Sequence, residues 1–432
     1  MVSSRIPGFY KLPLDERQRI TGERFDLTAA ELGALDRGGL DRDTADKMIE
    51  NVVGSYSLPF ALGLNIQMNG RDYLAPMVVE EPSVVAAASN ASRIIRAGGG
   101  FFAESDEPVM ISQVQVDDVP DAEAACLALA SHRDELLRLA DAAVPNLIRR
   151  GGGTRGLEVR DLGEGMIVVH FLIDCRDAMG ANLVNTVAEA VADRIAQLSG
   201  GQIGLRILSN LCDKRCVRVR CSIPVTALEE NGQSGEAVRD AIVRASRFAE
   251  ADPYRAATHN KGIMNGVDPV VLATGNDWRA AESGAHAFAA RSGVYRPLCV
   301  WRKNAQNGNL DGIMEIPLAL GVVGGPARMH KGAALGLKMS SVSSAQELAM
   351  LAASVGMASN FAALKALATD GIQRGHMALH ARQVAVAAGA VGDEVERVAK
   401  AIHGGGHVTL DAAQAALALL HKQAAAAQEV AL

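Results

Sequence analysis

From residue 109 onward the apolar positions switch back and forth between two periods. The stretch "VMISQVQVDD" (109–118) is β-rich and ends in an acidic turn, whereas "DAEAACLALASHRDELLRLADAAV" (121–144) sets its apolar residues at the spacing of one helix. "GLEVRDLGEGMIVVHFLID" (156–174) predicts two strands around "DLGEG", with glycine supplying the positive φ of the turn. "AMGANLVNTVAEAVADRIAQLSG" is an amphipathic helix stopped by glycines, and "QIGLRILSN" is a further strand. The order βαββαβ is the split βαβ, or ferredoxin-like, pattern. It predicts a compact domain over 109–215, inserted into a larger domain made of 1–108 and 216–372.

A chain of 432 residues has room for two or three such units, and 49% hydrophobic with 21% charged residues supplies their cores. The net charge of −6 gives no general attraction for nucleic acid or anionic lipid, so neither is expected as a partner. The N-terminal "MVSSRIPGFYKLPLDERQ" is broken by prolines and charges before a signal-peptide core could form. No apolar run approaches the ~18 residues of a membrane helix, so the expected location is cytoplasmic. Six cysteines without a CxxC fit a reducing compartment, and Cys212, Cys216 and Cys221 match no zinc pattern and are expected as buried thiols.

The residues "GGGTRG" (151–156) match GxGxxG, but they follow a helix and open a hairpin. The motif holds a pyrophosphate only where a strand leads into a helix, so here it reads as a helix stop. A better dinucleotide turn is "DCRDAMGANLVNT" (174–186): a strand ends, glycine turns the chain, and a helix begins with free N–H groups. Asp177, Asn182 and Asn185 read there equally well as ordinary helix caps. "VVEEPSVVAAAS" (78–89) sets paired carboxylates at a strand end. "DPYRAATHNKGIMNG" (252–266) gathers Arg255, Lys261 and Asn265; a lysine could neutralise an oxyanion and an arginine could clamp a carboxylate. "ATGNDWRAAESGAH" (273–286) puts Asp277 in a turn, where it would hold a nearby lysine charged. "GIQRGHMALHARQVAVAAGA" (371–390) carries His376 and His380 on one helix face. Without HExxH or a further ligand at metal spacing no metal is expected, and the glycine before His376 suggests a proton-carrying histidine on a hinged helix.

Together these strings resemble the bacterial, class II 3-hydroxy-3-methylglutaryl-coenzyme A (HMG-CoA) reductases. The likeness runs nearly end to end, from "DKMIENVVGSYSLPFALGLNIQMNGRDY" (46–73) through "PMVVEEPSVVAAAS", "DAMGANLVNTVAEAV" and "DPYRAATHNKGIMNG" to "GNDWRA" and "GIQRGHMALHAR". The resemblance implies an α+β protein with a large HMG-CoA-binding domain, an inserted ferredoxin-like cofactor domain and a mobile helical C-terminal domain over 373–432. It implies interconversion of HMG-CoA and mevalonate plus coenzyme A by two hydride transfers with NAD(H) or NADP(H). By motif, the catalytic residues fall on Glu81, Lys261, Asp277 and His376, and the contacts to the substrate's carboxylate and hydroxyl on Ser83, Arg255 and Asn265. The cofactor contacts fall on Asp177, Met179, Gly180, Asn182, Asn185, Thr186 and Asn210. In these roles Lys261 would oppose the oxyanion each hydride creates and Asp277 would keep it charged, while Glu81 delivers a proton and His376 protonates the departing sulfur.

One departure concerns the cofactor. Where NADH-using relatives place an aspartate before the "GGG" turn this chain has Val144, with Arg149 and Arg150 close by, which could admit a 2′-phosphate. The wider likeness to catabolic class II enzymes still favours NAD(H). A ferredoxin-like sheet can also bind RNA, but these strands offer only Phe171 and the chain is acidic. A reductase for a different acyl-CoA is the alternative within the same chemistry. The resemblance also implies a homodimer or higher even oligomer with active sites shared between chains. In keeping with that, "ENVVGSYSLPFALGLNIQMNG" (50–70) is a weakly charged segment that a monomer would have to bury or expose.

Overall fold

The computed structural model describes residues 3–230, 232–324, 329–369 and 372–430, except the side chains of 372–379 and 424–430. Three short helices, α1 (Leu14–Phe25), α2 (Ala29–Asp36) and α3 (Arg42–Met48), precede a hairpin of β1 (Phe60–Met68) and β2 (Arg71–Val78). Its turn is Asn69 and Gly70, both at positive φ (51° and 77°), as a two-residue turn matched to strand twist requires. Next come α4 (Val84–Ile95) and β3 (Phe102–Ser105), then β4 (Val109–Asp117), α5 (Ala122–Ser131), α6 (Arg133–Ala143), α7 (Pro145–Ile148), β5 (Gly153–Gly163), β6 (Met166–Asp174), α8 (Ala181–Ser199) and β7 (Gln202–Leu208). The chain continues through β8 (Cys216–Ile223), α9 (Gly235–Ala251), α10 (Pro253–Ala273), α11 (Trp278–Ala289), β9 (Cys299–Lys303) and β10 (Leu310–Pro317). It ends in α12 (Lys331–Ser340), α13 (Ala345–Ala368), α14 (Ile372–Ala387), α15 (Asp393–Gly404) and α16 (Leu410–Val430).

The fold is mixed α/β, with two four-stranded sheets that bury separate cores. One sheet runs in the order β5–β6–β4–β7, every neighbouring pair antiparallel. Along β6, Ile167, Val169, Phe171 and Ile173 alternate inward to meet Val184, Val187, Val191 and Ile195 of α8, which is the period-two pattern of a strand covered on one face. The other sheet, β3–β8–β10–β9, joins strands from before and after the first. With α4, α9, α10, α11 and α13 it encloses a larger core drawn from residues 66–101 and 216–364. A third, smaller cluster joins α14, α15 and α16 through Ala381, Ala385, Val398, Ile402, Ala413 and Leu417.

The stretch 121–144 is not the single helix its spacing predicts. His132 leaves the helical conformation (φ −98°, ψ 16°), and its Nδ1 sits 2.8 Å from the Ala128 carbonyl, which closes α5 and lets α5 and α6 bend separately over α8. The hairpin at "DLGEG" needs more than glycine: Gly163, Glu164 and Gly165 all take positive φ. Contrary to the sequence expectation, α13 is long and apolar enough to cross a membrane by length and composition, Glu347 and Lys365 being its only charges. It is instead a core helix, 78% of its apolar window being buried inside the protein against α10 and α4.

Candidate active site

Two segments far apart in sequence form the first pair. After β2 the chain turns through Glu81 into α4, whose N-cap, Ser83, holds φ 75°, a left-handed conformation uncommon for any residue but glycine. The helix α10 starts at Asp252, whose carboxylate accepts from the N–H groups of Tyr254 and Arg255, with Pro253 at the first helical position. Lys261 lies two turns further on, its Nζ 3.0 Å from Glu81 Oε2, and both side chains remain accessible (61% and 38%). An exposed pair of this kind contributes little to stability, so its charges are available to a ligand.

Polar groups on the same two elements lack partners among the described residues. Ser83 Oγ is buried with no hydrogen-bond partner among the described residues. Leaving a buried hydroxyl unmatched costs about 1–3 kcal/mol, which a ligand group could recover. Arg255 is half buried; burial lowers its pKa, and its guanidinium forms no ion pair among the described residues. Asn265 follows Lys261 by about one turn on the same face of α10. Pro269, having no N–H, leaves the Asn265 carbonyl without its helical donor.

Asp277 does not join the Lys261 pair as expected. It caps α11, with Oδ1 accepting from the N–H groups of Arg279 (3.0 Å) and Ala280 (3.1 Å), and it pairs with the Arg279 guanidinium at 3.5 Å. The helix start has taken its oxygen, and Lys261 has turned to Glu81. Asp277 instead lines two cavities. The larger, about 1510 Å³, is bounded by the N-terminal segment, Phe60, Asn90, Arg93 and Arg279. The smaller, about 290 Å³, is bounded by Met179, Gly180, Asn182, Gly321 and Val323. Neither is lined by Glu81 or Lys261.

The smaller cavity sits at the start of α8. Gly180, the N-cap, holds φ 104° and has no side chain to cap the helix, and a Cβ there would strike Cys175. The first N–H groups of α8 are therefore left for a ligand, and an anion is the ligand they suit. Behind the turn, Arg215 is 3% exposed and donates to the carbonyls of Ala178 and Met179, both at 3.2 Å, and to that of Leu320. Asn276 brackets Gly321, accepting its N–H at 2.8 Å and donating to its carbonyl at 3.1 Å. The turn, the 320–323 strap and the Asp277 loop thus form one hydrogen-bonded wall. Sequence reasoning singled out neither Arg215 nor Asn276, since nothing in "CDKRC" or "GND" tells that these side chains turn to backbone.

Of the other expected cofactor residues, Met179, Gly180 and Asn182 line the small cavity. Asp177 caps α13 rather than α8: its Oδ1 accepts from the Ala345 N–H at 3.0 Å, and its carbonyl accepts from Val322 and Val323. Asn185 accepts from the Leu208 N–H at 2.9 Å, Thr186 Oγ1 donates back to the Asn182 carbonyl at 2.9 Å, and Asn210 is exposed outside the cavity. These three are committed to local structure or stand away from the turn. His376 lies on α14, its side chain outside the described residues. Near the "GGG" turn Val144 is buried and Arg149 donates to Asn146, yet an acid does stand there: Asp141 Oδ1 accepts from the N–H and Oγ1 of Thr154, both at 2.8 Å. Among the described residues no three His, Cys, Asp or Glu side chains gather as a metal site requires. The six cysteines are free, and burial pushes the Cys212 thiol up to about 11 and that of Cys216 to about 12, which leaves them poor nucleophiles.

Hydride addition to a carbonyl needs a cation where oxygen becomes negative, a proton source beside it and a seat for the donor's phosphates. Lys261 is a cation, Glu81 a carboxyl group beside it and the start of α8 a set of free N–H groups, an arrangement that fits an oxidoreductase. The family model described as hydroxymethylglutaryl-coenzyme A reductase matches residues 13–381. Over 419 residues the chain is 46% identical to the HMG-CoA reductase of Archaeoglobus fulgidus, covering 96% of this chain and 94% of that one. It is 36% identical over 345 residues to a probable HMG-CoA reductase of Borreliella burgdorferi, covering 80% and 79%. Among solved structures, HMG-CoA reductase from Streptococcus pneumoniae matches with a TM-score of 0.82 and 41% identity, over 96% of this chain and 99% of that one. The class II enzyme of the same species, bound to NADPH in open conformations, matches at 0.81 and 42%, over 84% and 99%. The chain belongs to the hydroxymethylglutaryl-coenzyme A reductase family, and its activity is the interconversion of HMG-CoA and mevalonate plus coenzyme A with a nicotinamide cofactor.

Proposed function

We propose that Glu81, Lys261, Asp277 and His376 carry this reaction; the observation that supports it is the 3.0 Å contact between Glu81 and Lys261, 180 residues apart in sequence. The nicotinamide cofactor, seated against the start of α8, supplies the two hydrides. Lys261 opposes the negative charge that develops on the carbonyl oxygen, and Glu81, in contact with the lysine, takes up a proton from solvent and passes it to that oxygen. Asp277 adds negative charge that keeps Lys261 protonated once the site closes. His376, on α14, protonates the sulfur as coenzyme A leaves. The unmatched Ser83 hydroxyl, the unpaired Arg255 guanidinium and Asn265 hold the substrate's hydroxyl and carboxylate.

The antiparallel βαββαβ unit over 109–215 is a ferredoxin-like cofactor domain, with Met179, Gly180 and Asn182 as its principal contacts. Residues 1–108 and 216–372 form the HMG-CoA-binding domain, and 373–432 a helical flap. NAD(H) is the preferred cofactor, because the Asp141 carboxylate beside the glycine turn accepts a ribose hydroxyl more readily than it tolerates a 2′-phosphate. The enzyme works in the cytoplasm as a homodimer with shared sites, a reading supported by the exposed apolar residues Ile49, Val53 and Tyr56.

The test is initial rates on one sample with HMG-CoA, acetoacetyl-CoA and succinyl-CoA, each with NADH and NADPH. HMG-CoA with NADH is expected to give the highest kcat/KM, and Arg255→Lys to raise KM for HMG-CoA while leaving KM for the cofactor unchanged. A higher value with another acyl-CoA would overturn the choice of acyl group, and a higher value with NADPH the choice of cofactor. An unchanged KM for HMG-CoA in the Arg255 variant would remove that residue from the substrate site.

A further inference from the structure

Directly before Lys261, two polar residues interrupt the buried stripe of α10. Ala256, Ile263, Met264, Val267 and Val270 run along the core side of the helix, and the positions that continue the stripe between Ala256 and Ile263 hold His259 and Asn260, both buried. Their partners are backbone groups at β9. This strand is an edge of its sheet, so its outer row of N–H and carbonyl groups meets no other strand. His259 Nε2 donates to the Cys299 carbonyl at 2.9 Å. Asn260 forks across the approach to the strand, Nδ2 donating to the Arg296 carbonyl and Oδ1 accepting from the Leu298 N–H, both at 2.9 Å. From α13, Asn360 Nδ2 donates to the His259 carbonyl at 3.2 Å, while its Oδ1 accepts from the Trp301 indole at 2.9 Å. The Trp301 backbone N–H is taken by Ser246 Oγ of α9, also at 2.9 Å.

The set carries no charge. Burial draws the pKa of His259 down to about 4, which leaves the ring neutral. With Nε2 holding the hydrogen, its Nδ1 is buried without a partner among the described residues. Stability alone does not account for polar residues here: replacing matched buried polar groups by apolar ones of the same shape is nearly neutral, and the bare Nδ1 costs about 1–3 kcal/mol. What they add is direction. An apolar stripe tolerates repacking at small cost, whereas an amide fork is satisfied only where its donor and acceptor both meet their partners. Buried polar groups of this kind fix register, as a single buried asparagine does in a coiled coil.

Lys261 is the next residue in the chain, turned to the open side of the helix, where its Nζ meets Glu81 Oε2. We propose that Asn260, Asn360 and His259 fix the rotation of α10 about its axis and so set where the Lys261 ammonium stands opposite Glu81, which makes them positioning residues for the reaction. The proposal rests on the role given above to Lys261. The helix packs on β2, which leads to Glu81, and on α13, which carries Asn360, so its angle is defined against both. With the set broken, the apolar stripe still holds α10 in the core but no longer at one angle. A shift on the order of 1 Å at a reacting group costs up to about 10² in rate.

Two replacements, Asn260→Leu and Asn360→Leu, are made alone and in a Lys261→Ala background, and kcat, KM and thermal melts are measured for each. Alone, each is expected to lower kcat on the order of tenfold to a hundredfold, with KM for the nicotinamide cofactor unchanged because the α8 turn takes no part in the set. In the Lys261→Ala background the same replacement should change kcat by less than about twofold, since no ammonium remains to be misplaced. A residue that merely supports the fold would cost the same factor again. Full loss in both backgrounds, or an unchanged kcat in both single variants, would overturn the proposal. Should a leucine variant fail to fold, Asn260→Ser leaves a hydroxyl and room for water among the same backbone groups and passes through the same cycle, with the same two outcomes. Normal turnover by Lys261→Ala itself would overturn the site assignment and the proposal with it, whereas a slow Lys261→Ala with additive losses overturns the positioning alone.

Discussion

Lys261 is the residue whose removal should cost the most for the least structural change. A single preorganised group opposing an oxyanion is worth about 3–4 kcal/mol, or about 10²–10³ in kcat. The lysine is exposed and its ion pair with Glu81 adds little to stability, so Lys261→Ala should lose that factor in kcat while its melting temperature stays at the wild-type value. Saturating assays alongside thermal denaturation check this, and near-normal turnover would take Lys261 out of the mechanism. At this scale the sequence is legible in part. A lysine flanked by asparagine and glycine within "DPYRAATHNKGIMNG" stands out against an apolar background, as does a glutamate at a strand end. What each side chain touches is not legible, because it depends on rotamers and on segments far apart in the chain. Asp277 was expected to hold Lys261, yet it spends its oxygen on the start of its own helix, and the Ser83 hydroxyl could be seen to be unmatched only once α4 was in place.

The elements read most clearly from the sequence are those whose period is sustained by burial on one face, such as β4, β6 and α8. The break at His132 rests on one side chain bonding back to a carbonyl, which periodicity does not encode. The helix α10 is disguised by its small and polar residues, but those are what allow it to lie against α13. A Cβ on Gly266 would fall 2.7 Å from the Val355 carbonyl carbon and 2.8 Å from Gly356 Cα, backbone that cannot step aside. One turn earlier, a Cβ on Gly262 would meet Ala363 Cβ at 3.9 Å, an ordinary contact. Gly266→Ala should therefore destabilise the fold by about 1–3 kcal/mol or more through overpacking, whereas Gly262→Ala should stabilise it by up to about 1 kcal/mol through helix propensity. Denaturant melts of the two variants check the contrast, and a Gly266→Ala protein as stable as wild type would contradict the close contact of α10 with α13.

At the scale of the whole molecule, Asp277 does not converge with Glu81 and Lys261 among the described residues of one chain. Asp277 and the α8 turn share the smaller cavity, while Glu81 and Lys261 line neither cavity. Ile49, Val53 and Tyr56 lie exposed on the segment that runs into β1, whose hairpin ends just before Glu81. Apolar side chains so exposed mark a contact surface, and the proposed shared-site dimer takes the cofactor turn from the second copy that covers it. The sequence hinted at this through the weak charge of 50–70, but a surface for another copy and an internal core read alike until burial is known. The prediction is complementation between two inactive variants under subunit exchange. One is Lys261→Ala; the other is Asn182→Ala, whose side chain lines the small cavity and makes no hydrogen bond to a described residue. If each site takes Lys261 from one chain and the α8 turn from its partner, a mixed dimer holds one site with both defects and one with neither. Up to about half of wild-type activity per mixed dimer should then return, as it does when shared sites form by symmetric association. Demonstrated exchange with no recovery would mean that each chain closes a complete site of its own, with Asp277 and Lys261 brought together by movement within the chain.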